Sequence, residues 1–172
     1  MNVNKRRIFF ITLLIIFSVI VIYGFQDSDP AYAYKSRGDY YRRKGPDYYA
    51  LAIREYEKAI QVKKNYGMCY YWISWIFTRK SLYGQALMEI NEALKYKNTL
   101  NYKSRFIDML YLKSEILFKS LMNSEGKKVL EEIIDYLKRF RQQVTDLADP
   151  IFRRKFGRAY FILGSFYRRT NT

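Results

Sequence analysis

The stretch that decides the fold is AYKSRGDYYRRKGPDYYALAIREYEKAIQV, residues 33–62. Its apolar residues recur at helical spacing, and the turn sequence GPD at 45–47 divides it into two helices. Small residues lie at Gly38, Ala52 and Ala59, where they allow two helices to approach closely. The stretch therefore predicts a helix–turn–helix pair.

The same pattern of small and large residues returns twice further along the chain. Ala52, Tyr56 and Ala59 have counterparts 34 residues later, and those have counterparts 40 residues after that. In order, these counterparts are Ala86, Ile90, Ala93, Gly126, Leu130 and Ile133. On the first helix of each pair, the position of Gly38 is occupied in turn by Ser74, Ser114 and Gly164. Periods near 34 residues indicate stacked helix–turn–helix repeats.

These residues resemble the tetratricopeptide repeat (TPR) family. The first repeat has its glycine, its tyrosine and its two alanines placed as the family has them, and a similar second repeat is YYWISWIFTRKSLYGQALMEINEALKY, residues 70–96. A degenerate third repeat is carried by LYLKSEILFKS and EGKKVLEEIIDYL, and the first helix of a fourth by AYFILGSFYRRT. The resemblance covers about residues 31–170. It implies an all-α fold, a short TPR-like α-solenoid of about three helix pairs with a C-terminal capping helix.

The repeat pattern and the breaks between its segments predict seven helices. The predicted ranges are 30–44, 48–63, 67–80, 83–96, 104–121, 124–143 and 150–169. Asp29-Pro30 and Asp149-Pro150 are start signals, because aspartate caps the free N–H groups of a helix and proline fits its first position.

An apolar run of 18 residues precedes the repeats, IFFITLLIIFSVIVIYGF from Ile8 to Phe25. As a helix it would span roughly 27 Å at about 1.5 Å per residue, close to the hydrocarbon thickness of a bilayer. We therefore predict one transmembrane signal-anchor helix at residues 8–26, with a short basic tail at 1–7 and a TPR-like repeat domain at 27–172. The lipid bilayer would be a partner through residues 8–25.

A cleaved signal peptide is the competing interpretation of this segment. Lys5-Arg6-Arg7 forms a positive n-region, and Ala31-Tyr32-Ala33 offers a small-residue cleavage site. An uncleaved anchor is favoured, because cleavage there would remove the first turn of the following helix. The basic tail favours a cytoplasmic N-terminus. We therefore expect a single-pass cell-membrane protein whose repeat domain is extracytoplasmic, on the periplasmic side.

Residue composition argues against catalysis. The chain has no histidine and a single cysteine, Cys69. An intrachain disulfide, a metal site built from histidine and cysteine, and a histidine-based triad are therefore excluded. The sequence also contains no glycine-rich phosphate loop. We predict no enzymatic activity, no catalytic or metal-binding residues and no cofactor.

The TPR resemblance also implies where a partner would bind. The inner wall of such a stack is built mainly from the first helix of each pair, and the repeat register places an aromatic trough of mixed charge there. The predicted partner-binding groove residues are Tyr32, Lys35, Asp39, Arg42, Met68, Tyr71, Trp75, Arg79, Tyr111 and Glu115, with Asp108 in the same register. Such a trough would hold a peptide segment or a helix of another protein. For any single tyrosine, a core position is the competing interpretation.

The family's carboxylate clamp, which grips chaperone C-termini, uses lysine and asparagine on successive first helices. Lys35 could occupy the lysine position, but Asp39 stands where the clamp has asparagine. Binding of chaperone tails is therefore not expected.

The sequence predicts a membrane-anchored protein–protein interaction scaffold or adaptor within a bacterial envelope assembly. A homo-oligomer is compatible with the sequence as well. The net charge of +15 supports a second interpretation. A basic helical domain of this kind could bind anionic lipid or wall polymer at the membrane surface, whereas nucleic acid is not an expected partner. The basic residues of the last helix either touch phospholipid or an acidic partner, or form a solvated cap face; they are Arg153, Arg154, Lys155, Arg158, Arg168 and Arg169.

Overall fold

The structure is a computed structural model that describes residues 29–97, 103–143 and 150–170. These ranges contain seven α-helices and one 3-10 helix. The helices are α1 (Pro30–Lys44), α2 (Tyr49–Val62), α3 (Gly67–Arg79), α4 (Tyr83–Lys95), α5 (Lys103–Lys119), α6 (Asn123–Gln143) and α7 (Pro150–Thr170), and the 3-10 helix is Pro46–Tyr48. The predicted ranges agree with these helices to within about two residues at each end.

The helices form three pairs, α1 with α2, α3 with α4 and α5 with α6, and α7 packs on α6. Each pair also contacts the next one in the chain, which produces a short stack. The predicted all-α, TPR-like solenoid is therefore confirmed. The predicted tail at 1–7 and transmembrane segment at 8–26 lie outside the described residues. Within the part of the chain that is described, no helix has the length and apolar character needed to cross a bilayer.

Helix α1 begins as its sequence predicts. The side chain of Asp29 accepts a hydrogen bond of 3.0 Å from the backbone N–H of Ala31, and Pro30 occupies the first helical position. Helix α7 likewise begins at Pro150, although Asp149 is not among the described residues.

Close approach within the first pair depends on Gly38. A Cβ atom at this position would lie 2.6 Å from the ring of Tyr56, which is fully buried on α2. In the second pair the Ser74 hydroxyl donates a 2.7 Å hydrogen bond to the carbonyl of Ala86. The third pair reverses the arrangement, because its glycine, Gly126, lies on the second helix and faces the ring of Phe118 on the first.

Contacts between successive pairs are apolar. The second helix of one pair and the first helix of the next share a cluster of buried side chains, as in Tyr56 and Ala59 of α2 against Cys69 and Ile73 of α3. Burial raises the pKa of the Cys69 thiol to about 12, so this thiol is protonated at neutral pH and serves as a small packing residue. These clusters hold the first helices side by side along the stack.

The turn between α3 and α4 and the turn between α5 and α6 have the same backbone conformation. Ser81 and Leu121 adopt positive φ angles of 60° and 62°, and the next residue in each turn donates a 2.9 Å hydrogen bond back into the helix. Leu121 is unusual in this conformation, which normally favours glycine, and its side chain is 84% exposed.

Replacing Leu121 with glycine should raise the free energy of unfolding by about 1 kcal/mol, because it relieves the left-handed backbone strain and sacrifices little packing. The measurement is urea denaturation followed by circular dichroism. Leu82→Gly is the matched control, since Leu82 is also exposed but has an ordinary φ of −88°. That control should lose stability, and an equal response of the two variants would contradict the explanation.

Candidate binding cleft

A cleft of about 170 Å³ opens between the first helices of successive repeats, α3, α5 and α7. It is lined by Tyr71, Trp75, Arg79, Asp108, Tyr111, Leu112, Glu115 and Arg158. Aromatic and charged side chains thus predominate in the lining.

The wall formed by α3 is a group of packed aromatic rings. Trp75 is half-buried and meets the rings of Tyr49 and Trp72 edge to face, with centres 5.9 and 6.3 Å away. The guanidinium carbon of Arg79 lies 4.9 Å from the centre of the Trp75 ring. These three contacts restrict the motion of the Trp75 ring and give this wall of the cleft a fixed shape.

The opposite wall depends on a junction between α5 and α7. Tyr111 is only 5% exposed, and its hydroxyl donates a short hydrogen bond to the backbone carbonyl of Lys155. The guanidinium carbon of Arg158 lies 4.9 Å from the centre of the Tyr111 ring. Helix α7 therefore contributes directly to the cleft as well as covering the end of the stack.

As far as the chain is described, the acidic side chains of the cleft have ion-pair partners, whereas its arginines do not. Asp108 forms an ion pair of 2.8 Å with Lys155, and Glu115 forms one of 3.2 Å with Lys119. In the described parts of the chain, neither Arg79 nor Arg158 has a carboxylate partner. The carboxylates of the cleft are thus neutralised, whereas its two arginines are available to an incoming anion.

The tyrosines of the cleft are hydrogen-bonding groups rather than acids or bases. Burial raises the pKa of Tyr71 and that of Tyr111 to about 12, so both phenols are protonated at neutral pH. The Tyr71 hydroxyl forms no hydrogen bond with any other described residue. Among all residues that the structure describes, no group of three His, Cys, Asp or Glu side chains is placed so that it could hold a metal ion.

The structure brings together half of the residues that the sequence predicted for the groove. Tyr71, Trp75, Arg79, Tyr111 and Glu115 all line the cleft, as does Asp108. Met68 instead packs against the buried cluster between α4 and α5, and Tyr32 is 58% exposed at the start of α1.

The predicted groove residues of α1 are largely engaged in packing. Asp39 accepts a 2.7 Å hydrogen bond from the Tyr56 hydroxyl and pairs with Lys35 at 2.6 Å. The guanidinium carbon of Arg42 lies 3.7 Å from the centre of the Trp72 ring, and its Nε donates to the Tyr56 hydroxyl at 3.2 Å. These side chains join α1 to α2 and α3, outside the lining of the cleft.

Arg158 belongs to the cleft although the sequence predicted it only as part of a basic stretch. It lies six residues before Gly164, as Asp108 lies six residues before Ser114. Extending the repeat register to the fourth first helix would therefore have found it.

No protein-family model matches the sequence, and no curated protein matches it either. Among solved structures, the chain is similar to the N-terminal domain of stress-induced protein-1 (STI-1) from C. elegans. That likeness has a TM-score of 0.57 at 13% sequence identity and covers 77% of this chain and 95% of that one. It supports a TPR-like helical repeat fold. At this level of identity the likeness describes the fold alone.

Proposed function

We propose that this chain is a membrane-anchored scaffold or adaptor whose TPR-like groove binds a segment of a partner protein within a bacterial envelope assembly. The anchor is the apolar segment at residues 8–26, with the N-terminus in the cytoplasm and the repeat domain on the periplasmic side. The proposal assigns the chain no catalysis and no cofactor. Tethering to the membrane raises the effective concentration of the partner, so modest affinity in the groove is sufficient.

The observation that carries the proposal is the composition of the cleft. Rigid aromatic rings next to arginines are the residues that dominate interface energetics, and the cleft places Trp75 and Tyr71 beside Arg79 and Arg158. The lining of the cleft as a whole comes from α3, α5 and α7, the first helices of three successive repeats. An extended segment could therefore cross several helices at once.

Photo-crosslinking in the native cells tests this proposal. A photoreactive amino acid replaces Glu115 in the cleft or, as the matched control, Glu57 on the exposed face of α2. We expect a discrete protein adduct from the cleft position alone. Tyr71→Ala combined with Trp75→Ala should weaken capture of that protein at least about 30-fold, because central aromatic residues contribute about 2 kcal/mol or more each.

Tyr40→Ala is the control for this pair of substitutions, since Tyr40 is a 51% exposed aromatic residue of α1 outside the cleft. It should leave the adduct unchanged. Equal adducts from both crosslinking positions, or capture that survives the double substitution, would show that the cleft is not the binding site.

The second candidate function, binding of anionic lipid or wall polymer, is favoured by the charge of α7. Its sequence contains no acidic residue, and Arg154, Arg158 and Arg168 are exposed on it. Polymer binding should weaken steeply with salt, because each neutralised phosphate or carboxylate releases counterions. Binding through an aromatic cleft should weaken less. Titration of the partner at 50 and 300 mM salt separates the two functions.

A further inference from the structure

The charges of the cleft indicate which kind of segment it accepts. Its two acidic side chains are held by Lys155 and Lys119, and its two arginines have no carboxylate partner in the described ranges. The guanidinium groups instead lie over the rings of Trp75 and Tyr111, each 4.9 Å from the ring centre. Stacking on a ring orients the planar group and leaves its N–H donors free for an anion.

The size of the cleft limits what can enter it. A volume of about 170 Å³ is close to the roughly 150 Å³ that accommodates one benzene-sized group. The cleft therefore accommodates one side chain of a partner. A carboxylate is the group that an arginine fork binds best, and both arginines line this cleft together with Tyr71, whose hydroxyl can supply a further donor.

We infer that the cleft is a specificity pocket for a single acidic side chain, glutamate or aspartate, within an extended segment of the partner, bound by Arg79 and Arg158 and flanked by Trp75. This inference rests on the proposed function and narrows it to one class of partner sequence. Asp108 is held by the largely buried Lys155, and Lys119 lies beside Glu115, so the positive charge around both carboxylates disfavours a cationic side chain in the cleft. The cleft should bind a segment with a basic or neutral side chain at this position more weakly than one with an acidic side chain.

Peptide selection tests the inference with defined probes. Random 12-residue peptides, displayed on phage and fused through their C-termini, are selected on the full chain in phosphatidylcholine nanodiscs. Selected peptides are then synthesised with a fluorescent label and an amidated C-terminus, and dissociation constants are measured by fluorescence anisotropy. We expect one conserved glutamate or aspartate near an apolar residue, and replacement of that acid by its amide should weaken binding about tenfold or more.

Substitutions in the protein should reproduce the loss. Arg79→Ala and Arg158→Ala should each weaken the acidic peptide about tenfold, and neither should further weaken the amide variant, because the partner group is then absent. Arg79→Lys keeps the charge but loses the fork, so it should restore binding only in part. Arg54→Ala is the matched control, since Arg54 is exposed on α2. It removes the same charge outside the cleft and should change binding less than twofold.

The possible outcomes separate the inference from the proposed function. Peptides that need Tyr71 and Trp75 but tolerate both arginine substitutions and the amide change would overturn the inference and leave the proposed function standing. A selected peptide that no longer needs its internal acid once it is synthesised with a free C-terminal carboxylate would also overturn it, because the anion would then be a chain end. Failure to select any peptide, or binding indifferent to Tyr71 and Trp75, would overturn both.

Discussion

Replacing Gly38 with alanine should lower the free energy of unfolding by about 1–3 kcal/mol, the usual cost of overpacking a core. In an exposed helix the same change normally stabilises, because alanine restricts the unfolded chain more than glycine does. Here the new methyl group would lie 2.6 Å from two atoms of the Tyr56 ring. The ring cannot rotate away without losing the hydrogen bonds that its hydroxyl makes to Asp39 and Arg42. Either α1 moves away from α2, or the hydrogen bonds between Tyr56, Asp39 and Arg42 are lost.

Gly157 provides the opposite test within the same chain. It lies inside α7, is exposed, and a Cβ atom there would have no neighbour within 4 Å among the described residues. Gly157→Ala should therefore raise the free energy of unfolding by about 0.5–1 kcal/mol. Urea denaturation of both variants provides the measurement. If Gly38→Ala raises the free energy of unfolding as Gly157→Ala does, close packing at Gly38 does not hold the first pair together.

The repeat pattern predicts the fold because a small residue at a helix crossing is a local and periodic constraint. Gly38 and Ser74 mark where the second helix of each pair approaches, and the observed helices follow. The pattern does not predict how the third pair achieves the same approach. There Gly126 faces Phe118, so the glycine and the aromatic ring have exchanged helices. Such an exchange depends on which side chains fill the space between α5 and α6. The spacing of small residues in one sequence does not reveal it.

The binding cleft is predictable to the extent that one helix determines it. Tyr71 and Trp75 lie one turn apart on α3, so their common face follows from the periodicity. Arg42 was predicted for the same groove but lies outside it, because its guanidinium group packs on Trp72 of α3 and donates a hydrogen bond to Tyr56 of α2. Whether an arginine of α1 packs on α2 and α3 or points into the groove depends on how the three helices pack together, which the periodicity of one helix does not determine. Arg158 was missed because the groove register was projected onto the first three repeats only, although Gly164 marks the same position on the last helix.

Alkaline pH should unfold this protein, and Tyr56→Phe should weaken that dependence. Burial, reinforced by the hydrogen bond to Asp39, raises the pKa of Tyr56 well above its usual range, and burial raises the pKa of Tyr111 to about 12. In the unfolded chain both phenols lose their protons near pH 10. Below that value both phenols are protonated in the folded and in the unfolded state, so their stabilising contribution is fully present. The Cys69 thiol, whose pKa burial also raises to about 12, lowers the stability from about pH 8.5 upward, and it does so equally in the parent and in Tyr56→Phe.

Between pH 10 and the folded pKa the unfolded state alone is deprotonated. Stability should therefore fall by about 1.4 kcal/mol per pH unit for each buried phenol, or about 3 kcal/mol per unit for Tyr56 and Tyr111 together. The raised pKa of Tyr71 adds to this fall. Total stabilities of domains are about 5–15 kcal/mol, so one to two pH units should remove much of the margin. The measurement is urea denaturation at a series of pH values from 9 to 11.5.

Tyr56→Phe separates the two contributions of this hydroxyl. At neutral pH the variant should be less stable by about 1–2 kcal/mol, because Asp39 loses a 2.7 Å hydrogen bond. Above pH 10 its stability should fall less steeply than that of the parent, since phenylalanine carries no proton to lose, and the two curves should meet at about pH 11. Lysine titration in this range affects both proteins alike and cancels in the difference. Parallel curves from pH 9 to 11.5 would mean that Tyr56 ionises as readily in the folded protein as in the unfolded chain, and that the ring, rather than the buried hydroxyl network, stabilises the first pair.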